Sequence, residues 1–244
     1  LLMSIISLEL LQDAILQLIM NKSGLTQREI DSAKDGEVQK GCLILTEEEY
    51  EEKTFYKRSG SSLQFAFMPE VEFIADSAFQ RSPLTAVCFL KVKSVGDGAF
   101  RGCKELIQIF LPVCEELGDS CFDGCMKIKI LNLPRVKKIG KWQFYGCYSL
   151  TNLIIPLVEE IGDYCFYKCD ALESIDSKLD ADQFRCTYDL CKEEKKCIIC
   201  RGQLQNCLKK GKDQQNRQRV QKKMEEQKLV LLKDAGINPI QALK

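Results

Sequence analysis

The sequence of 244 residues contains no histidine and has only one tryptophan and six prolines. The absence of histidine excludes Ser-His and Cys-His nucleophiles, metal and haem sites that need an imidazole, and the commonest general base at neutral pH. A Gly-rich phosphate loop of either usual spacing is also missing. Basic and acidic side chains number 35 each, so the formal net charge is zero. A neutral chain is not typical of a protein that coats nucleic acid, although a local basic patch is compatible with it.

The most apolar stretch, residues 1–20, is interrupted by two acidic side chains, whereas a membrane span needs about 20 nearly uncharged residues. Its apolar residues recur mainly at three- and four-residue steps, which predicts a helix docked on the rest of the protein. The stripe consists of Leu8, Leu11, Ile15, Leu18 and Ile19. A signal sequence and a membrane anchor are the alternatives. We expect a cytoplasmic protein; secretion stays an alternative, because the sequence begins Leu-Leu-Met.

An internal repeat of 22 residues runs through the middle of the chain, where phenylalanines follow one another at steps of 21 or 22. Glycine and cysteine positions keep the same register. The columns are Phe79, Phe100, Phe122, Phe144 and Phe166; Gly96, Gly118, Gly140 and Gly162; and Cys103, Cys125, Cys147 and Cys169. This pattern over residues 48–179 predicts a solenoid, because a single unit cannot bury its apolar face alone.

Each unit has the features of a short strand and a return turn. Residues 150–155, LTNLII, are mostly apolar and end at Pro156, which cannot extend a strand ladder. A bend at Val158 follows, and after it Gly162 is expected to supply backbone angles that other residues avoid. A turn with Phe166 and Cys169 then leads to the next strand. Stacked units predict an α/β repeat solenoid with a parallel sheet on one side and turns on the other.

Two of these units carry a family resemblance. VGDGAFRGCKELIQIFLP from Val95 and IGKWQFYGCYSLTNLIIP from Ile139 resemble the BspA-like leucine-rich repeats, whose units have the pattern I-G-x-x-A-F-x-x-C-x-x-L-x-x-I-x-L-P. The resemblance covers residues 71–176. It implies a leucine-rich-repeat arc of the kind found in bacterial surface proteins and anaerobic protists, and it implies protein binding or adhesion rather than catalysis. The departures from the pattern are Ser82, Leu90 and Gln143.

The segments that flank the solenoid are expected to cap it, because terminal repeats otherwise expose a sheet edge and core. Residues 1–47 are predicted to form an N-terminal helical cap, residues 180–207 a Cys-rich cap, and residues 208–244 a basic helical tail. The tail has eight basic and three acidic side chains between Lys209 and Lys228 and no aromatic residue there. This pattern favours a solvated helix or a coiled partner segment over binding to nucleic acid or to an anionic membrane.

The cysteines fall into two groups. Those in the repeats are expected to pack in the core, where a reduced cysteine behaves as a small hydrophobe; Cys114, for example, stands where other units have valine. In the C-terminal cap, a CxxC pair and two further cysteines predict a four-thiolate zinc site. Its ligands are Cys186, Cys191, Cys197 and Cys200, with Cys207 as the alternative to Cys186. Disulfides in an extracellular protein and plain reduced thiols remain alternatives.

Side chains that alternate away from the core on neighbouring strands predict a binding surface, which we call the strand face. It consists of Gln108, Phe110, Ile130, Asn132, Asn152, Ile154, Ser174 and Asp176. Apolar side chains rimmed by amides are typical of a protein contact, unless the N-terminal helix covers them. The sequence predicts a non-enzymatic scaffold that binds another protein through this concave face. The alternative is a nucleic-acid-associated protein that uses the cysteine cluster, with zinc, and the basic tail.

Overall fold

The computed structural model describes residues 64–68, 71–186 and 197–234, together with residues 17, 20, 26, 28, 38–39, 42–44 and 194. Most of the predicted N-terminal cap, including its apolar stripe, lies outside the described residues, and so does Cys191. None of the helices in the described ranges is both long and apolar enough to cross a membrane.

Short strands build the repeats. In chain order they are β1 (Val38–Gln39), β2 (Cys42–Ile44), β3 (Phe65–Phe67), β4 (Phe73–Ile74), β5 (Ala86–Cys88), β6 (Ser94–Val95), β7 (Gln108–Phe110), β8 (Glu116–Leu117), β9 (Ile130–Asn132), β10 (Lys138–Ile139), β11 (Asn152–Ile155), β12 (Glu160–Ile161) and β13 (Ser174–Ser177). β1 pairs with β2 in antiparallel orientation, whereas strands of successive turns pair in parallel.

The strands form two parallel rows along the solenoid. One row contains β2, β3, β5 and β7, and continues with β9, β11 and β13, since β7 contacts β9. The other row contains the two-residue strands β4, β6, β8, β10 and β12. The protein is a parallel β-solenoid of about five turns that is followed by two helices.

The fold differs in one respect from the predicted α/β solenoid, because the repeats from residue 71 to residue 179 consist of strands and turns. The sequence predicts no strand where β12 lies, yet Ile161 pairs with Ile139 of the previous turn. A strand of two residues is too short to show the alternation by which strands are recognised. The second row therefore becomes evident only when the turns are stacked.

Stacked phenylalanines form the centre of the core. Successive ring centroids lie 5.4, 5.7, 6.3 and 5.9 Å apart, and all five rings are at most 1% exposed. The rings belong to the column Phe79, Phe100, Phe122, Phe144 and Phe166. Such aromatic pairs contribute about 0.5–1.5 kcal/mol each beyond the area that they bury. The repeat register predicted from the sequence is thus confirmed in the core.

The glycine column has a different cause from the one that the sequence suggests. Positive φ angles occur at other glycines, such as Gly124 with φ +72°, and not at Gly118 or its column partners. Instead, a Cβ at Gly118 would lie 2.4 Å from Oδ1 of Asp97 in the previous turn. That Oδ1 accepts a hydrogen bond from the Asp119 amide at 2.7 Å, and equivalent bonds join the neighbouring turns. Close approach of one turn to the next therefore requires glycine here.

The column of cysteines lines the core beside the phenylalanines. Its four thiols are at most 1% exposed, and each Sγ donates to a carbonyl of the preceding turn, as Cys147 does to Phe122 at 3.1 Å. Burial raises the pKa of Cys147, and that of Cys114 elsewhere in the core, to about 12. These thiols remain protonated at neutral pH and pack as small apolar groups, as predicted.

A short 3-10 helix, Ala181–Gln183, and the helices α1 (Leu204–Lys212) and α2 (Gln214–Asp234) follow the last repeat. α1 packs on β13 with its apolar side buried. It approaches so closely that a Cβ at Gly211 would lie 1.8 Å from the Ile175 carbonyl oxygen. Asp213 separates the helices: its backbone is extended, and its Oδ1 accepts a hydrogen bond from the Asn216 amide at 2.8 Å. The sequence predicts one basic helix in this region, and the structure has two.

Phe122→Ala should lower the free energy of unfolding by about 3–5 kcal/mol, because the rings on either side cannot move together to fill the cavity. The matched control is Phe73→Ala, since that ring is 49% exposed and its loss should cost far less. Urea denaturation followed by circular dichroism measures both variants. Equal losses would contradict a core built on the phenylalanine stack.

Burial of the thiols predicts that stability declines in alkali. A thiol whose pKa rises on folding stabilises the protein fully below its ordinary pKa of 9.0, and this stabilisation is lost as pH rises toward the folded value of about 12. Each such thiol adds a slope of about 1.4 kcal/mol per pH unit in that window. Cys114→Val introduces the residue that other turns have at this position. This substitution should make the loss of unfolding free energy with pH shallower by about 1.4 kcal/mol per pH unit between about pH 10 and 11. Denaturant titrations at several pH values measure this slope, and an unchanged slope would contradict the burial of the Cys114 thiol.

Candidate functional site

Strand pairing arranges the residues of the predicted strand face in two adjacent rows. One row holds Ile130, Asn152 and Ser174, and the other holds Asn132, Ile154 and Asp176. Gln108 and Phe110 lie on β7, which precedes β9 in the same row of strands. The intervening Leu131, Leu153 and Ile175 are at most 1% exposed and belong to the core. Six of the eight side chains of the strand face are half-buried, and two are buried.

The two buried members, Asn152 and Ser174, are each 4% exposed. Nδ2 of Asn152 donates to the Ser174 hydroxyl at 2.6 Å, and the Thr151 hydroxyl donates to Oδ1 of Asn152 at 2.9 Å. Their polar groups thus satisfy one another inside the protein. The alternation of a strand predicts which side a residue faces, but it does not predict what packs over that side.

Helix α2 lies against the C-terminal end of the strand face. Arg217 donates through Nη2 to Asp176 and through Nε to the Gly211 carbonyl, the latter at 3.0 Å, and Val220 is 6% exposed. A groove of about 370 Å³ lies between the strands and the helices. Its lining includes Ile154, Ser174, Asp176, Asn216, Arg217 and Val220. The helix at this end is therefore the C-terminal one, whereas the apolar stripe of the N-terminal helix proposed from the sequence lies outside the described residues.

The basic residues of the C-terminal helices are partly engaged with the solenoid. Lys212 Nζ lies 3.6 Å from Asp180 Oδ1, and Arg217 pairs with Asp176. Five further basic side chains of the two helices are exposed, as is the acidic Glu226; they are Lys209, Lys210, Arg219, Lys222 and Lys223. No feature of helices α1 and α2, as far as they are described, favours the nucleic-acid alternative.

Three of the predicted zinc ligands lie close together. The Sγ atoms of Cys186, Cys197 and Cys200 are within 4.8 Å of one another. The predicted fourth ligand, Cys191, lies outside the described residues. Cys207 is engaged elsewhere, since its Sγ donates to the Leu172 carbonyl at 3.4 Å and burial raises its pKa. Cys207 is thus a packing residue of α1 rather than a member of this cluster.

The repeats match a known family model. Six copies of the BspA type leucine rich repeat region match residues 72–185. Residues 72–185 form a BspA-type leucine-rich repeat region. The resemblance seen in the sequence is confirmed over these residues, and proteins with this repeat are generally non-enzymatic scaffolds.

Comparison with solved structures finds bacterial leucine-rich repeat proteins. One from T. pallidum is 28% identical, with 56% of this chain and 64% of that chain covered and a TM-score of 0.46. One from Eubacterium ventriosum is 23% identical, with 57% and 40% covered and a TM-score of 0.49. A leucine rich cell surface protein from Faecalibacterium prausnitzii is 22% identical, with 57% and 43% covered and a TM-score of 0.45. The chain thus spans less than two thirds of each of these structures, and no curated protein sequence matches it.

The Arg217–Asp176 pair predicts how α2 is held on the strand face. Arg217→Ala should increase amide hydrogen exchange over residues 214–221 by about fivefold, the factor that corresponds to the loss of a surface ion pair of about 1 kcal/mol. Arg219→Ala is the matched control, because Arg219 is an exposed cation on the same helix. Hydrogen exchange with mass spectrometry measures both variants. Exchange that is unchanged in Arg217→Ala would show that the ion pair does not hold the helix.

Proposed function

We propose that this protein is a non-enzymatic repeat scaffold that binds another protein through the open part of its strand face. The observation that carries this proposal is the set of side chains on β7 and β9. Phe110 and Ile130 are half-buried there, with the amides of Gln108 and Asn132 beside them. Apolar side chains at the centre of a patch and amides at its rim are the composition of protein contacts.

The scaffold supports binding because strand pairing and core packing fix the backbone of the strand face. β9 and β11 pair in parallel through backbone hydrogen bonds. On the core side of β9, Leu131 is buried. A preorganised backbone reduces the entropy that association costs. The partner therefore meets a surface whose shape is set by the stacked turns.

The open part of the strand face leads toward the groove beneath α2. There Ile154 continues the apolar surface, while Asp176 and Arg217 already neutralise each other. An apolar segment of a partner can extend from Phe110 and Ile130 toward this groove without leaving a charge unpaired. We place this function in the cytoplasm, with secretion as the alternative expected from the sequence.

A photo-crosslinking experiment tests this function. The amino acid p-benzoylphenylalanine replaces Phe110 in the full chain, or Tyr148 as the control, since Tyr148 is 42% exposed in the turn before β11. Crosslinks formed in an extract of the source cells are identified by mass spectrometry. We expect position 110 to capture a protein that position 148 does not.

Two further substitutions test whether the crosslink depends on the strand face. Ile130→Asp in the labelled protein should reduce the captured protein by about tenfold, because a carboxylate would be desolvated in the contact. Leu157→Asp, at an apolar side chain that is 45% exposed outside the strands, should leave the yield unchanged. Circular dichroism checks that both variants are folded. Capture that is the same at both positions, or that survives Ile130→Asp, would overturn the proposed function.

A further inference from the structure

We propose that Cys186, Cys197 and Cys200 bind one Zn²⁺ ion, which joins the C-terminal cap to the last repeat. Their Sγ atoms lie within 4.8 Å of one another. Tetrahedral zinc with Zn–S bonds of about 2.3 Å places its sulfur ligands about 3.8 Å apart. The three thiols are therefore within about 1 Å of the separations that the metal requires.

The CxxC segment has a turn that directs both of its sulfurs to one side. The Arg201 amide donates to the Cys197 carbonyl at 3.0 Å, and the Gly202 amide donates to the Ile199 carbonyl at 3.0 Å. Gly202 ends the turn with φ +69°, which glycine adopts without strain. The Cys200 amide also donates to Cys197 Sγ at 3.4 Å.

The CxxC segment is anchored on the last repeat. Cys197 forms an antiparallel bridge with Tyr167, and Ile198 between the two cysteines is fully buried. Arg201 Nη1 lies 3.1 Å from Asp170 Oδ1. These contacts hold the two sulfurs in place independently of a metal.

The third thiol, that of Cys186, belongs to the segment that follows the last repeat. Phe184, two residues before Cys186, is 4% exposed, and its ring centroid lies 5.9 Å from that of Phe166, the last member of the phenylalanine stack. The CxxC segment, which precedes α1, and the segment that follows the last repeat are thus both attached to the same turn. A site in which the scaffold positions the ligands loses little entropy when the ion binds.

Three thiolates select a soft metal ion over magnesium, calcium or manganese, and sulfur in tetrahedral geometry is typical of structural zinc. Cys197 is buried, while Cys186 and Cys200 are half-buried. The described residues provide three ligands, and the sequence predicts Cys191 for the fourth position. The ion would join the residues that follow the 3-10 helix to the turn that precedes α1.

Metal analysis of the full chain tests this site. The protein is purified under reducing conditions without chelator, and zinc is measured by inductively coupled plasma mass spectrometry. We expect about one zinc per chain, reduced by about tenfold or more in Cys197→Ser. The control variant Cys114→Val lacks one thiol of the core, and it should bind as much zinc as the unaltered protein. The variant Cys207→Ser should also bind as much zinc as the unaltered protein, because the Cys207 thiol donates to the Leu172 carbonyl and is not one of the three ligands.

Since Cys197→Ser can also unfold the cap, the unaltered protein provides a second measurement. Cobalt that replaces the zinc should show the visible absorption of tetrahedral thiolate coordination. Removal of the metal by a chelator should make Cys186 and Cys200 react with N-ethylmaleimide, while the cysteines of the core stay protected. The proposal is overturned if the reduced protein takes up neither zinc nor cobalt, if iron occupies the site, or if Cys197→Ser retains its zinc.

Discussion

Each inner turn of the described repeats is buried by the turns on either side of it, and this dependence of each unit on its neighbours governs the rest of the structure. The phenylalanine rings stack because the 22-residue period returns the same atoms to the same place one turn later. The same approach leaves no room for a Cβ at Gly118 and lets the Asp97 carboxylate bind the next turn's amide. Each side chain of a column is therefore part of the environment of the next one, and all members of a column must fit the same contact.

A stack of this kind has a weak point at each end, because the last turn has no successor. At the C-terminal end, α1 takes the place of the next turn. Gly211 allows its backbone to approach the Ile175 carbonyl, and Cys207 bonds to Leu172. The CxxC segment closes the other side of the same turn through Tyr167. The cysteines whose side chains the structure describes thus have two environments: in the repeats and at Cys207 they are buried packing groups, and in the cap three others converge.

The closure of this end also shapes the surface available for binding. α2 continues from α1 over the end of the strand face, where Arg217 meets Asp176. The part on β7 and β9 lies farther along the row of strands and carries the half-buried Phe110 and Ile130. Stability of the last turn and access to the strand face are therefore linked through one pair of helices.

Much of the fold was predictable, because the period places the same residue type in the same contact in every turn. The core columns and the parallel strands followed from spacing alone. The second row of strands did not, since two residues show no alternation. The reason for the glycine column was also wrong, because close contact between turns leaves no signal in local backbone preference.

The sequence by itself determined the repeat register, the identity of the core and the family of the repeats, since these depend on residues one period apart. The tertiary structure alone decided which members of the strand face are open. Asn152 and Ser174 are buried against each other, and Asp176 is bound by Arg217, which lies 41 residues later in the chain. Contacts of this kind join the repeats to segments that do not share their period, so no column of the sequence records them.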